Sequence, residues 1–179
     1  VLAAASLVGA DLALAALALA DLRPAAGRGE RIALDLPGGS VLLIDESYNA
    51  NPASMRAAIA LLGQAAIGPR GRRIAVLGDM LELGPSGAEL HREIAEPVRA
   101  HEIDLVFCCG PLMHTLWEAL PSERRGGYAE SAEALASELV AAVRPGDAVM
   151  VKGSLGSRMA TITKALERHF PRCGAPTPA

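Results

Sequence analysis

The chain has 179 residues, a mass of 18.5 kDa and a formal net charge of −3 at pH 7. Hydrophobic residues make up 51% and charged residues 21%, which excludes an intrinsically disordered protein. The acidic balance and the low aromatic content of 3% argue against a nucleic-acid binder, which needs a basic face and aromatic side chains for base stacking. This length fits one domain, with or without a short appendage, and a core that needs no disulfide or metal.

Both ends of the chain differ in composition from the middle. Residues 1–22 are apolar and mostly Ala and Leu, but they lack a basic leader and are interrupted by Gly9 and Asp11. We therefore predict a helical segment there and neither a signal peptide nor a membrane span. Because the chain begins with Val1, we expect it to be a piece of a longer protein. Three prolines within residues 171–179 predict a flexible tail.

The cysteines indicate the compartment. Their number is odd, which argues against a disulfide framework and predicts a reducing, cytoplasmic location. Cys108 and Cys109 are adjacent in an apolar run, so a strand would point them to opposite faces and away from a shared metal. We expect both to be buried as small apolar side chains, and we predict no metal site in this chain.

Short runs rich in Val, Ile and Leu alternate along the chain with longer Ala-rich stretches of helical period. The tight turn at residues 37–40 predicts an antiparallel hairpin between the first two runs. The predicted fold is α/β, with a three-layer, Rossmann-like, mostly parallel sheet, one antiparallel edge strand and helices on both faces. The predicted strands are residues 32–36, 41–45, 73–77, 105–109 and 148–151.

Capping residues mark the predicted helix starts. Asn51 precedes a proline, Ser131 precedes another helical stretch, and Ser86 with Glu89 has the spacing of a capping box. Pro97 falls inside the helix that Ser86 begins, so we expect a kink or a break there.

Polar residues follow the predicted strands at residues 45–51, 78–82, 110 and 152–154. Open parallel sheets bind ligands outside the carboxyl ends of their strands, so these loops are expected to meet at one edge. Carboxylates, amides, a lysine and helix amino-termini around one cleft suit a polyanionic or zwitterionic ligand.

Each of these residues also has a plain structural interpretation. Asn51 could serve only as a helix cap, Asp79 only as a turn former, and Lys152 only as a solvated strand end. Arg28 could be a linker arginine between two glycines, and His91 could simply pack at the edge of the core.

Several familiar motifs are missing from the sequence. It contains neither the Gly-x-x-x-x-Gly-Lys-Ser/Thr loop for ATP phosphates nor the Gly-x-Gly-x-x-Gly loop for dinucleotides. No Ser-His-Asp or Cys-His spacing indicates a nucleophile. The residues alone therefore predict an α/β ligand-binding domain without naming a reaction.

Three of these loops resemble a known family. The motifs DESYNANP at residues 45–52, GDMLELG at residues 78–84 and VKGS at residues 151–154 resemble the carboxy-terminal domain of Mur ligases. Within that family they are similar to the member that adds D-alanyl-D-alanine to UDP-N-acetylmuramoyl-tripeptide. The YNANP element is fairly specific, since sister ligases and folylpolyglutamate synthases carry a His-containing version at this place.

The resemblance implies a three-domain, ATP-dependent ligase of peptidoglycan precursor synthesis, in which an acyl phosphate is attacked by the amine of D-alanyl-D-alanine. ATP and Mg²⁺ would be bound mainly by the central domain, which also carries the P-loop, so this chain alone is expected to be inactive. Residues 1–25 would be a remnant of that central domain, residues 26–170 the carboxy-terminal domain and residues 171–179 a tail. The implied partners are the two small-molecule substrates and the other two domains, with no nucleic acid and no membrane.

The resemblance also implies roles for particular residues. Lys152 and Asp79 would be catalytic, the lysine meeting the dipeptide carboxylate and the aspartate orienting its loop or the attacking amine. The family often has Asp-Asp where this chain has Asp45-Glu46, and Arg where it has Leu155, so Arg158 is expected to supply that guanidinium. The implied nucleotide contacts are Arg28, Asp45 and Glu46, and the implied substrate contacts are Asn49, Asn51, Ser154 and Arg158.

Two alternatives remain at this point. One is a fragment of another Mur-type amide ligase, such as a folylpolyglutamate synthase. The other is a non-catalytic α/β binding module.

Overall fold

The computed structural model describes residues 2–20 and 24–174. It begins with two short helices, α1 (Leu2–Leu7) and α2 (Leu12–Ala20). Asp11 caps α2, because its Oδ1 accepts the backbone N–H of Ala13 at 2.8 Å and of Leu14 at 3.2 Å. The predicted helical segment is confirmed over residues 2–20, whereas residues 1 and 21–22 lie outside the described part.

The remainder is built on a six-stranded sheet with the strand order β1-β2-β6-β3-β4-β5. The first two strands pair antiparallel and all other pairs are parallel, as predicted. The strands are β1 (Glu30–Leu36), β2 (Gly39–Glu46), β3 (Arg73–Gly78), β4 (Leu105–Cys109), β5 (Arg125–Ala129) and β6 (Ala148–Lys152).

The direction in which the chain crosses the sheet decides which face each helix covers. From β2 through β3 and β4 to β5 the strands advance toward one edge, and from β5 the chain returns to β6 between β2 and β3. Right-handed crossovers in opposite directions place their helices on opposite faces. One face carries α3 (Pro52–Gly63), α4 (Gly87–Arg92), α5 (Ala95–Ala100) and α6 (His114–Ala119), and the other carries α7 (Ala132–Ala142) and α8 (Ala160–His169).

Each face of the sheet buries its own apolar cluster, and adjacent strand residues alternate between the two. Cys109 packs with α7 and α8, whereas Cys108 packs with the helices of the opposite face. The expectation that these two cysteines are buried on opposite faces is therefore confirmed. Among the described residues, the structure has no helix with the length and hydrophobicity that crossing a bilayer requires.

The sequence did not predict β5, because Arg-Gly-Gly-Tyr-Ala has weak strand propensity. The structure shows why a glycine is needed at position 126. A Cβ on Gly126 would lie 2.5 Å from the ring of Phe107, and a Cβ on Gly127 would lie 2.7 Å from the Glu138 carboxyl group. The five other strands were predicted to within a few residues of their bounds.

Two of the three predicted caps form. The Asn51 side chain accepts the Ser54 N–H at 2.8 Å, and Ser131 accepts the Ala134 N–H at 3.3 Å. The capping box predicted at Ser86 is wrong, because Ser86 ends a 3₁₀ turn and its side chain makes no capping bond. The break expected near Pro97 is confirmed, since α4 and α5 are separated just before it.

The segment after α8 continues along β1 for a few residues. The Pro171 carbonyl accepts the Asp35 N–H at 2.8 Å, and the Cys173 N–H donates to the Ala33 carbonyl at 2.8 Å. The start of the predicted tail is therefore hydrogen-bonded to the sheet, and residues 175–179 lie outside the described part.

A buried ion pair closes the amino-terminal end of the sheet. Asp147 is 2% exposed and accepts the backbone N–H groups of Arg72 and Arg144, both at 2.9 Å. The Arg72 guanidinium donates to both oxygens of the same carboxylate, at 2.7 and 3.2 Å. Four hydrogen bonds thus compensate the desolvation of one carboxylate.

Replacement of Asp147 by Ala is expected to reduce the free energy of unfolding by about 3–5 kcal/mol, because it removes the anionic partner of Arg72 and leaves two backbone N–H groups without their acceptor. Urea denaturation of the wild-type and variant chains measures this loss. The matched control is Glu96→Ala, since the Glu96 side chain is 61% exposed and lies 3.6 Å from Arg56. The control should lose less than about 1 kcal/mol, and losses of equal size would contradict the assignment.

Candidate functional site

The carboxyl end of β6 lies at the centre of the candidate site. Lys152, the last residue of β6, is in register with Glu46 of β2 on one side and Leu77 of β3 on the other. The chain leaves β2 and β3 toward one face and β6 toward the other, which opens a crevice at the sheet edge. Two cavities occupy this edge, one on each side of the loop that follows β6.

The first cavity, called here the basic cavity, has a volume of about 250 Å³. Two cationic side chains and one carboxylate belong to it. Its lining residues are Gly27, Arg28, Glu46, Tyr48, Asn49, Ala50, Asn51, Ser54 and Lys152.

Arg28 is held at the mouth of the basic cavity by the turn before β1. Its guanidinium carbon lies 3.9 Å from the centre of the Tyr48 ring, a cation–π contact. Gly27 has φ +73°, and a Cβ there would lie 2.9 Å from the Tyr48 backbone nitrogen, so only glycine fits this turn. Arg28 itself is exposed, which leaves its N–H groups directed to solvent or to an anionic ligand.

Lys152 is buried in the wall of the basic cavity with 3% of its surface exposed. Its Nζ donates to Glu46 Oε2 at 3.3 Å and to the Asn49 carbonyl at 3.0 Å. Lys152 is therefore not the solvated strand end of the plain interpretation. Since an ammonium group has three donors, one remains for a ligand beyond these two bonds.

The remaining predicted residues of this region have local partners. Asn49 and Asn51 line the cavity, but the Asn51 oxygen caps α3 and the Asn49 Oδ1 accepts the Ala50 N–H at 2.9 Å. Asp45 is 8% exposed, and its carboxylate accepts the Ser47 N–H at 3.0 Å. Of the acidic pair, Glu46 is thus the member that lines the cavity, and a ligand contact by either acid stays a prediction.

The second cavity, called here the acidic cavity, has a volume of about 230 Å³ and lies beyond the carboxyl ends of β3, β4 and β5. Three carboxylates and one arginine belong to it, so its charge is opposite to that of the basic cavity. Its lining residues are Asp79, Leu81, Cys109, Gly110, Pro111, Glu130, Ser131, Ala132, Glu133, Gly156, Ser157 and Arg158.

Asp79 joins the loops after β3 and β4. Its carboxylate accepts the Met113 N–H at 2.8 Å and the Leu112 N–H at 3.3 Å. Burial raises the pKa of the Asp79 carboxyl, and these two backbone bonds oppose the rise. Gly110, at φ +107°, gives the carboxylate room, because a Cβ there would lie 2.5 Å from it. The geometry therefore supports the loop-orienting role predicted for Asp79, and catalysis by it stays a prediction.

Two further residues line or border the acidic cavity. Burial raises the pKa of the Cys109 thiol to about 11, so Cys109 is a protonated thiol at neutral pH and a poor nucleophile. Arg158 has φ +55°, is exposed, and lies 3.7 Å from Glu133. The structure thus places Arg158 in a different cavity from Asn49 and Asn51, with which it had been grouped.

Ser154 lies between the two cavities and is 5% exposed. Its Oγ accepts the Leu81 N–H at 2.9 Å and donates to the Ala50 carbonyl at 3.4 Å. The Ser154 hydroxyl thus joins the loop after β3 to the loop after β2, and its predicted contact with substrate stays a prediction.

Three site residues were given no role by the sequence. Glu130 and Glu133 follow β5, and because that strand was not predicted, its loop was not counted at the sheet edge. Tyr48 belongs to the YNANP motif, but only the fold brings its ring against Arg28. The sequence signal that could have indicated β5 is the Gly126-Gly127 pair, which lies between β4 and the helix that Ser131 caps.

This architecture defines a class: a doubly wound α/β domain with two cavities at the carboxyl ends of its strands, near the point where the strand order reverses. Residues 27–155 match the family described as "Mur ligase, glutamate ligase domain". The chain belongs to that family.

Several relatives with similar sequences carry the same description. The UDP-N-acetylmuramoyl-tripeptide–D-alanyl-D-alanine ligase of Escherichia coli (strain K12) is 34% identical over 173 residues, which cover 94% of this chain and 36% of that protein. The ligase of the same name from Bacillus subtilis (strain 168) is 32% identical over 142 residues, or 77% of this chain and 30% of that protein.

Solved structures agree with these matches. MurF ligase from Thermotoga maritima in complex with ADP superposes with a TM-score of 0.72 and 27% identity, covering 93% of this chain and 36% of that chain. MurF from Acinetobacter baumannii gives a TM-score of 0.75 at 26% identity, covering 92% of this chain and 35% of that chain. The chain thus spans about a third of the length of the relatives it matches.

The raised pKa of Asp79 predicts a pH-dependent contribution to stability. Between the unfolded and the native pKa, the native carboxyl holds a proton that the unfolded chain has released, so raising the pH through this range lowers stability. The free energy of unfolding of the wild type minus that of Asp79→Asn should therefore decrease as the pH rises from about 4. Urea denaturation at a series of pH values measures this difference, and a constant or rising difference would contradict the shift.

Proposed function

We propose that this chain is the carboxy-terminal domain of an ATP-dependent amide ligase that joins D-alanyl-D-alanine to UDP-N-acetylmuramoyl-tripeptide. The observation that carries the proposal is the match over 94% of the chain to a ligase of that description. In the proposed reaction ATP converts the tripeptide carboxylate to an acyl phosphate with release of ADP. The dipeptide amine then displaces phosphate to form the amide.

The proposal assigns residues 26–170 to the carboxy-terminal domain and residues 1–25 to the end of the preceding ATPase domain. The start of the family match at residue 27 supports this boundary, as does the contact between Gly27 and Tyr48. The predicted cytoplasmic location stays a prediction that rests on the cysteine content.

The opposite charges of the two cavities support a division of the ligands between them. The exposed Arg28 guanidinium in the basic cavity suits nucleotide phosphates, and the similar MurF ligase from Thermotoga maritima was solved in complex with ADP. Glu130, Glu133 and Asp79 in the acidic cavity attract the cationic amine of the incoming dipeptide, and Arg158 beside them suits its carboxylate. Asn49, Asn51 and Lys152, which had been assigned to the dipeptide, would then face the nucleotide.

Mg²⁺ is not assigned to this chain. Within residues 2–20 and 24–174, no group of three or more His, Cys, Asp or Glu side chains is arranged to hold a metal ion. Glu46, the acid that lines the basic cavity, already pairs with Lys152. The chain's own residues would bind and orient substrates by charge and hydrogen bonds, which is the main requirement of acyl-phosphate chemistry.

A phosphate-release assay on the full-length ligase tests the proposed function. Release should require ATP, UDP-N-acetylmuramoyl-tripeptide and D-alanyl-D-alanine together, and omission of any one should abolish it. Replacing the dipeptide by glutamate and the muramoyl substrate by a folate tests the folylpolyglutamate synthase alternative, and activity with that pair alone would overturn the proposal. The names of the relatives do not favour that alternative or a non-catalytic module.

Replacement of Lys152 by Met in the full-length ligase should lower kcat/KM by at least about tenfold. The variant keeps the side-chain volume but removes the cation that pairs with Glu46 and anchors the Asn49 carbonyl. Steady-state kinetics with each substrate varied in turn measures the effect. Lys164→Met, on the exposed face of α8, is the matched control and should retain wild-type kinetics. Unchanged kinetics in Lys152→Met would contradict the assignment.

A further inference from the structure

His91 of α4 is completely buried, and both of its ring nitrogens are hydrogen-bonded to the backbone. Nε2 accepts the Met80 N–H at 2.9 Å, and Nδ1 lies 2.6 Å from the Gly87 carbonyl oxygen. Since a backbone N–H only donates and a carbonyl only accepts, these partners select the tautomer with its proton on Nδ1. The bond to Gly87 is local, because Gly87 lies one turn earlier in the same helix. The bond to Met80 connects the helix to the loop after β3.

A residue that only fills this space needs no nitrogen atoms. Two buried ring nitrogens are costly unless both are bonded, and an apolar side chain would avoid that cost. The bond to Met80 therefore indicates that the position of the loop after β3 has to be fixed. Met80 is itself buried, whereas its neighbours Asp79 and Leu81 line the acidic cavity.

We propose that His91 is a positioning residue for the acidic cavity. By accepting the Met80 N–H, it holds Asp79 and Leu81 in the arrangement that receives the amine-bearing substrate. The identity of that substrate rests on the proposed function, and the fixing of the loop does not. The basic cavity is lined by other segments, so the effect of His91 falls on one substrate and not on the nucleotide.

Two conservative variants separate the two bonds. The amide oxygen of His91→Gln reaches the position of Nε2 and can still accept the Met80 N–H. The shorter amide of His91→Asn reaches only the position of Nδ1, so it can keep the bond to Gly87 but loses the bond to Met80. If the role of His91 were purely structural, the exchange rate of the Met80 amide and the KM values of both variants would follow only from how much each variant is destabilised.

Hydrogen exchange of the Met80 amide, measured by NMR on the 179-residue chain, tests the positioning directly. His91→Asn should speed this exchange by about tenfold or more relative to wild type, and His91→Gln should stay within about threefold. Equal protection in the two variants would overturn the proposal. This measurement holds whether or not the proposed function is correct.

Steady-state kinetics of the full-length ligase test the consequence for substrate. In His91→Asn the KM for D-alanyl-D-alanine should rise about tenfold while the KM for ATP stays within about twofold. In His91→Gln both KM values should stay close to those of the wild type. The matched control is His114→Asn, an exposed histidine on α6 that should leave both constants unchanged.

Two kinetic outcomes would overturn the proposal: an unchanged dipeptide KM in His91→Asn, or parallel increases in both KM values. If the wild-type ligase does not use the dipeptide at all, the proposed function fails, and the exchange of the Met80 amide alone then decides the role of His91.

Discussion

The backbone N–H groups of three consecutive residues after β3 are held by three different parts of the fold. Residue 79 donates to β4, residue 80 to α4 and residue 81 to the loop after β6. The side chain of the first of them, Asp79, in turn accepts two N–H groups from the turn before α6. Because buried backbone donors require acceptors, this segment can lie in only one place, and the loops around it are located by the same bonds.

This network explains how two cavities of opposite charge can exist side by side at one sheet edge. Ser154 lies in the wall between them and bonds to the loops on both sides, so each cavity has a fixed boundary. The buried Lys152 ammonium is balanced by Glu46, and among the described residues the exposed Arg28 has no carboxylate partner in its cavity. Across the wall, carboxylates predominate. Fields of opposite sign at short range favour an anionic group on one side and a cationic group on the other.

The fold was largely predictable because its signals are local. Apolar runs of strand length, a tight hairpin turn and two capping residues each act within a few positions, and all of these elements form. The exceptions are elements that depend on tertiary contacts. β5 needs Gly126 so that the ring of Phe107 can lie against it, and Ser86 precedes α4 as predicted but ends a 3₁₀ turn and makes no capping bond.

The sequence predicted which loops lie at the sheet edge, but it could not predict which of them share a cavity, because the strand order decides which loops are neighbours. The sequence predicted that the loops carrying Glu46, Asn49 and Lys152 meet at one edge, and the pairing of β2 with β6 brings these three residues together, with Arg28 beside them. Arg158 follows β6 closely in the chain but lies on the other side of its loop. There it lies beside Glu133, which follows β5, the strand that the sequence did not predict.

His91 shows the same limit most directly. Its position within α4 indicated a packing residue, and nothing in the spacing of the sequence connects it to Met80. The connection arises because α4 packs beside the end of β3, which brings His91 Nε2 within hydrogen-bonding distance of the Met80 N–H. A histidine on a helix therefore acquires a role in the shape of a cavity that its own side chain does not line.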